Sequence, residues 1–226
     1  NFRAGVNAGN SIVSGGNFNV VVGDEAGTAI TTGDNNTAFG FEAGKTINTA
    51  SLNTLIGSYT GRLIDTGIEN VGLGYNALAT DVKGSNSIAI GSKALQAQSF
   101  SGATSAYNTA VGHNAGKAVS TGVRNTLIGS LAGDALTDAD YNIALGYQTL
   151  SADIKGAGTV AIGYKALSNQ QFSSTTQVNN TAVGYLAGQL ITTGTKNTII
   201  GGYNGNQSGL DIRTSSNNIV LSDGDG

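Results

Sequence analysis

Short apolar clusters recur along this chain at a nearly fixed interval, each closed by a glycine and followed by polar residues. Successive examples are TAFG (Thr37–Gly40), TLIG (Thr54–Gly57), VGLG (Val71–Gly74), IAIG (Ile88–Gly91) and TAVG (Thr109–Gly112). The closing glycine falls at Gly5, Gly23, Gly40, Gly57, Gly74, Gly91, Gly112, Gly129, Gly146, Gly163, Gly184 and Gly201, and a degenerate thirteenth copy, NIVLS, puts Ser222 in its place. The spacings are 18, 17, 17, 17, 17, 21, 17, 17, 17, 21, 17 and 21. Three intervals of 17 and one of 21 make a larger repeat of 72, which is the distance between NNTAFGFEAG, YNTAVGHNAG and NNTAVGYLAG, ending at Gly44, Gly116 and Gly188. A period in this range is the mark of stacked supersecondary units.

The pattern within a unit excludes helix, because the apolar runs are short and β-branched and glycine interrupts each one. A second stretch in each unit, such as RLIDTGIE (Arg62–Glu69), carries an apolar residue (Ile30, Ile47, Ile64, Val119, Leu136, Ile191) and often another glycine. Two short strands per unit, each ended at a glycine-bearing corner, are predicted. One unit cannot bury its apolar side alone, so the stack is the core. The predicted fold is all-β: a parallel β-solenoid, or β-roll, of about 13 turns with 17–21 residues per turn. It forms one repeat domain over residues 1–226, with no linker. At strand spacing, 13 turns extend on the order of 60 Å.

Two columns follow from the alignment of units. The residue before the closing glycine is large and apolar (Phe39, Ile56, Leu73, Leu145), and the one before that is apolar and smaller (Ala38, Ala89, Ala110, Ala161). Neighbouring strand residues face opposite ways, so both faces of the strand are apolar. The expectation is that the smaller column faces outward and packs against other copies of the chain. A leading Asn (Asn19, Asn36, Asn53, Asn70 and their equivalents) forms the other column, predicted to hydrogen-bond from turn to turn.

Composition narrows the classes. The chain has no Cys, Met, Pro or Trp and 35 Gly in 226 residues, which rules out disulfides, thiolate metal sites and a proline-rich linker. A net charge of −3 with eleven scattered Lys and Arg argues against a nucleic-acid-binding tract or a polybasic membrane anchor. No apolar run reaches the length of a membrane span. A chain that starts at Asn1 in mid-pattern reads as a piece of a longer protein.

NSIAIGSKAL (Asn86–Leu95), GTVAIGYKAL (Gly158–Leu167) and NTAVGYLAG (Asn180–Gly188) resemble the head repeats of bacterial trimeric autotransporter adhesins. The 17-residue form, with TTG turns and NNTxxGxxAG, more closely resembles repeats of bacteriophage tail fibres and related virion appendages. NNIVLSDGDG (Asn217–Gly226) resembles the segment ahead of the self-cleaving intramolecular chaperone that ends many phage fibres. The resemblance implies a left-handed parallel β-roll in each of three chains, a homotrimer on the virion that supports attachment to a host cell-surface receptor or glycan, and a downstream chaperone needed for folding. The alternative it leaves is an adhesin head on a bacterial surface.

No catalytic, cofactor or metal residue is assigned, and the chain is not read as an enzyme. His113 is the only His and occupies a corner where other units carry Tyr. The carboxylates a glycan-cleaving spike would need are Asp24, Glu25, Asp138 and Asp140, but they lie in turns, where short acidic residues satisfy backbone groups. Asp81 and Asp153, each with a Lys two residues on (Lys83, Lys155), recur with the larger repeat and read as scaffold. Gly72-x-Gly74 lacks the helix of a dinucleotide site, and SDGDG lacks most ligands of a calcium loop. Two features are candidates for binding: aromatic residues after the closing glycine (Phe41, Tyr75, Tyr147, Tyr164, Tyr185), which stack on sugars or shield corners, and the longer turns around Phe100 and Phe172. Thr37, Thr54, Thr109, Thr126, Thr181 and Thr198 share a position suited to an ice-binding ladder, which Val20, Val71, Ile88, Ile143 and Val160 interrupt.

Overall fold

The computed structural model describes residues 1–224 as two compact units, Asn1–His113 and Asn114–Gly226, the last two residues lying outside the description. Among the described residues there is no helix. The chain is a parallel β-solenoid of about 13 turns, as the periodicity predicts. The first unit holds β1 (Phe2–Ala4), β2 (Val20–Val22), β3 (Thr37–Phe39), β4 (Thr54–Ile56), β5 (Val71–Leu73), β6 (Gly84–Ser85), β7 (Ile88–Ile90), β8 (Thr104–Ser105) and β9 (Thr109–Val111). Seven of them pair in parallel in the order β1-β2-β3-β4-β5-β7-β9, in a register set by the repeat: Val20 faces Thr37, Thr37 faces Thr54, Thr54 faces Val71. The second unit holds β10 (Thr126–Ile128), β11 (Ile143–Leu145), β12 (Gly156–Ala157), β13 (Val160–Ile162), β14 (Thr176–Gln177), β15 (Thr181–Val183), β16 (Thr198–Ile200), β17 (Asn206–Gln207), β18 (Leu210–Asp211) and β19 (Ile219–Leu221). Its ladder runs β10-β11-β13-β15-β16-β19.

Most turns contain one strand, not the two predicted. Where the second was expected, the backbone still bonds from turn to turn, as from Thr31 N–H to Asn48 O (3.0 Å) and from Asn48 N–H to Asp65 O (3.1 Å). It does not stay extended, because left-handed residues break the run: Asn35, Leu52, Glu69 and Asn86 have φ of 57°, 64°, 59° and 62°. A second ladder appears only beside the long turns, where β6 pairs with β8 and β12 with β14. The last long turn instead folds out as an antiparallel hairpin, β17–β18.

The closing glycine is required by close approach. Gly40 has φ of 137°, and a Cβ there would sit 2.5 Å from Gly57 O in the next turn. The same contact recurs at Gly146 against Gly163.

The expected orientation of the strand is reversed. The smaller central residue points inward: Ala38, Leu55, Ala89 and Ala110 in the first unit, and Leu127, Ala144, Ala161 and Ala182 in the second, are fully buried. The large residues beside them point outward, with Phe39 53% and Leu145 40% exposed. The reason is the narrow cross-section of a 17-residue coil. Its interior already holds a column of Ala or Thr (Ala26, Ala43, Thr60, Ala77) and a column of Ile (Ile30, Ile47, Ile64). These columns leave a limited space opposite them, filled by Ala in many turns and by Val21, Leu55, Leu127 or Ile199 in others, and the residues on either side of that position go to the outer face.

The Asn column behaves as predicted. Asn36 N–H donates to Asn19 Oδ1 (2.9 Å), Asn53 N–H to Asn36 Oδ1 (3.1 Å) and Asn70 N–H to Asn53 Oδ1 (3.0 Å). Each amide Nδ2 also donates across its own coil, as from Asn36 to Ala50 O (2.8 Å) and from Asn142 to Gly156 O (2.9 Å). The column thus satisfies buried backbone groups that the coil itself leaves open.

Candidate functional site

The candidate carboxylates are placed as turn acceptors and ion-pair partners, and they do not converge. Asp24 Oδ1 accepts from Val6 N–H (3.0 Å), and Asp140 Oδ1 from Val123 N–H (2.8 Å). Glu25 pairs with Lys45 (2.5 Å), and Asp138 with Lys155 (3.3 Å). His113 is exposed. Among the described residues no three His, Cys, Asp or Glu are grouped to hold a metal. No helix there is long and apolar enough to cross a membrane.

Asp81 and Asp153 are different: both are fully buried. They stand in the column occupied in other turns by Ile30, Ile47, Ile64, Val119, Leu136 and Ile191, and the following turn places Gln98 or Gln170 in that column. Gly84 N–H donates to Asp81 Oδ1 (2.9 Å) and Gln98 Nε2 to Asp81 Oδ2 (2.6 Å). Asn108 Nδ2 donates to Gln98 Oε1 (2.8 Å). The second copy repeats this, with Gly156 N–H on Asp153 Oδ1 (3.1 Å), Gln170 Nε2 on Asp153 Oδ2 (2.6 Å) and Asn180 Nδ2 on Gln170 Oε1 (2.8 Å). Burial raises both carboxyls above the ordinary Asp range, against the Gln amide and the backbone N–H donors, which pull them down. The Lys residues two places on are not the partners: Lys155 bonds Asp138 instead.

This Asp–Gln pair holds the place where the coil widens to 21 residues. Phe172 N–H in the added segment donates to Asp153 Oδ1 (3.1 Å), and Phe100 is buried. Both aromatics therefore anchor the widened turns to the core. The turns with a polar residue in the Ile column also replace an inner Gly by Leu. Gly27, Gly44 and Gly61 accompany Ile30, Ile47 and Ile64, whereas Leu78, Leu95, Leu150 and Leu167 accompany Asp81, Gln98, Asp153 and Gln170. A Cβ on Gly27 would lie 2.7 Å from Ile30 Cδ1, so the two apolar groups compete for one space. The Leu restores the volume that the polar pair gives up.

The aromatic column is arranged differently in the two units. In the second, Tyr147 and Tyr164 stack with centroids 5.7 Å apart at 12°, and Tyr164 and Tyr185 at 5.3 Å and 11°. In the first, Phe41, Tyr59 and Tyr75 meet edge to face, at 5.3 Å and 89°, then 6.0 Å and 79°. Tyr59 was not singled out by sequence, because it stands one residue later than the others. Beside it, Glu42 is held by Arg62 Nε (2.5 Å) and Lys45 Nζ (3.0 Å). Burial works to raise the Glu42 carboxyl, but these hydrogen bonds prevail and hold it below the ordinary range. Tyr59, Arg62, Leu63, Tyr75, Asn76 and Gln96 are among the residues lining a surface groove of about 440 Å³.

Compared with protein-family models, characterised proteins and solved structures, the chain matches none.

Proposed function

We propose that this chain is one strand of a homotrimeric shaft segment in a phage tail fibre or similar virion appendage, acting mechanically to support attachment to a host surface. The observation that carries the reading is the outer face of the parallel sheet. In the first unit it presents Val20, Phe39, Ile56, Leu73 and Ile88, and in the second Ile143, Leu145, Ile200, Ile219 and Leu221, all exposed. Phe39, Ile56 and Leu73 follow one another at strand spacing, and an exposed apolar run of this kind is the signature of a protein interface. Identical chains match it best, since the same repeat lays the same column on each copy. The resemblance of NNTxxGxxAG units to phage fibre repeats supplies the virion setting, the three-fold state and the left-handed roll. The carboxylates in the turns, occupied by backbone and ion-pair contacts, favour a structural reading over a glycan-cleaving one.

The test is sedimentation of residues 1–226 alongside Leu73→Glu and Leu145→Glu variants. Three chains per particle are expected for the parent. Either variant should dissociate it, because assembly would bury an unpaired carboxylate. A stable, soluble monomer at micromolar concentration would overturn the trimer. NSIAIGSKAL favours a second reading, the adhesin head. A membrane-anchoring barrel encoded downstream would select it, and an intramolecular chaperone would select the fibre.

A further inference from the structure

We infer that the groove between Tyr59 and Tyr75 is a binding site for a neutral hexopyranose oligosaccharide. The repeat supplies its own control. In the second unit Tyr164 lies face to face with Tyr147 and with Tyr185, so part of the flat surface of each ring is taken up by another ring. In the first unit the edge-to-face arrangement prevents that mutual stacking, and Tyr59 and Tyr75 both line the groove. A pyranose ring has an apolar C–H face that packs on a tyrosine and a rim of hydroxyls that needs paired donors and acceptors.

The rim chemistry is present and unused. Arg62 is fixed through Nε by Glu42, itself nearly buried, and lies with Cζ 5.6 Å from the Tyr59 ring centre. Its two Nη groups bond nothing among the described residues, nor do the side-chain amides of Asn76 and Gln96, which line the same groove. One guanidinium and two carboxamides are planar groups able to pair with adjacent hydroxyls. Charge selects a neutral ligand: Lys45 and Arg62 are balanced by Glu25 and Glu42, so the groove offers no net attraction to an anion. Length selects an oligomer, because Tyr59, Tyr75 and Gln96 belong to successive turns, roughly 10 Å from first to third at strand spacing. The stacked tyrosines lack the guanidinium: Ser151, Ser168 and Gln189 stand at the place of Arg62 in the turn.

This inference rests on the attachment role proposed above and not on the trimer. The whole chain is titrated with maltohexaose, cellohexaose, mannohexaose and chitohexaose, read by tyrosine fluorescence, which no Trp obscures. At least one should bind with Kd below about 1 mM. Tyr75→Ala should weaken it by about tenfold or more, and Gln96→Ala, at a half-buried surface position, should weaken it without loss of fold. Tyr185→Ala should leave it unchanged. Binding by none of the four, or equal loss in Tyr185→Ala and Tyr75→Ala, overturns the site. A trimer that binds none loses this site and keeps the shaft; a monomer that binds keeps the site and loses the trimer.

Discussion

Left-handed residues outside glycine shape every turn of this coil. Asn, whose short amide tolerates positive φ, fills the position ahead of the leading Asn (or of Ser87 in its place) at Asn35, Asn86, Asn179 and Asn217, but Leu52, Glu69, Arg124 and Tyr141 fill it elsewhere. Those side chains accept a local cost because the bonds on either side fix the backbone: Leu52 N–H reaches Asp34 O (3.0 Å) in the preceding turn. Leu52 is 51% exposed, so its side chain adds little packing. A β-branched residue there clashes with its own backbone. Leu52→Val is therefore expected to destabilise the chain by about 1–2 kcal/mol, and Leu52→Gly to be near neutral. Chemical denaturation of both variants checks this, and equal stability of the two would refute the backbone argument.

At the scale of the turn, the sequence revealed the period and hid the facing. The closing glycines, the Asn column and the buried Ile column were legible because each recurs in most copies. The orientation of the strand was not, since Ala38 beside Phe39 is apolar on both faces and only the width of the coil decides which turns in. The Asp–Gln pair was missed because its two members lie in different turns, 17 residues apart; the signal was Leu78 and Leu95 where Gly is usual. The pair also predicts a pH dependence. A carboxyl raised on folding is protonated more readily in the folded chain, so its contribution to stability is fullest below the ordinary Asp pKa and is lost as pH rises through the raised value. Glu42 and Asp138, lowered by their ion pairs, act in the opposite sense, with stability present above the ordinary range and lost on acidification. The clean measurement is the difference in melting temperature between the parent and the Asp81→Asn/Asp153→Asn variant. That difference should grow in the parent's favour as pH falls from neutral toward the ordinary Asp pKa. A difference independent of pH would show that the buried carboxyls do not titrate in that window. The Asn variant carries a fixed cost at every pH, because its amide N–H groups would face the Gln98 and Gln170 donors.

Across the whole molecule, each turn bonds chiefly to the turns before and after it, so stability is a sum over neighbours and turns are interchangeable where their lengths agree. Removing residues 20–36, one full 17-residue unit, would join Asn19 to Thr37 and present β3 to β1 in the register that β2 now uses, with Phe2 facing Thr37 as it now faces Val20. Asn19 Oδ1 would accept from Asn53 N–H as it now accepts from Asn36. The shortened chain should keep its β content and cooperative melting and lose a modest part of its stability. Removing residues 20–35 instead leaves one extra residue in the joined turn. A slip of one residue sends Ala38 outward and turns the polar Thr37 or the bulkier Phe39 into the space that Ala38 fills. That variant should misassemble or melt far lower, as read by circular dichroism and thermal scans. If the two deletions behave alike, the turns are not held in register by the columns described, and the interchangeability of units falls with them.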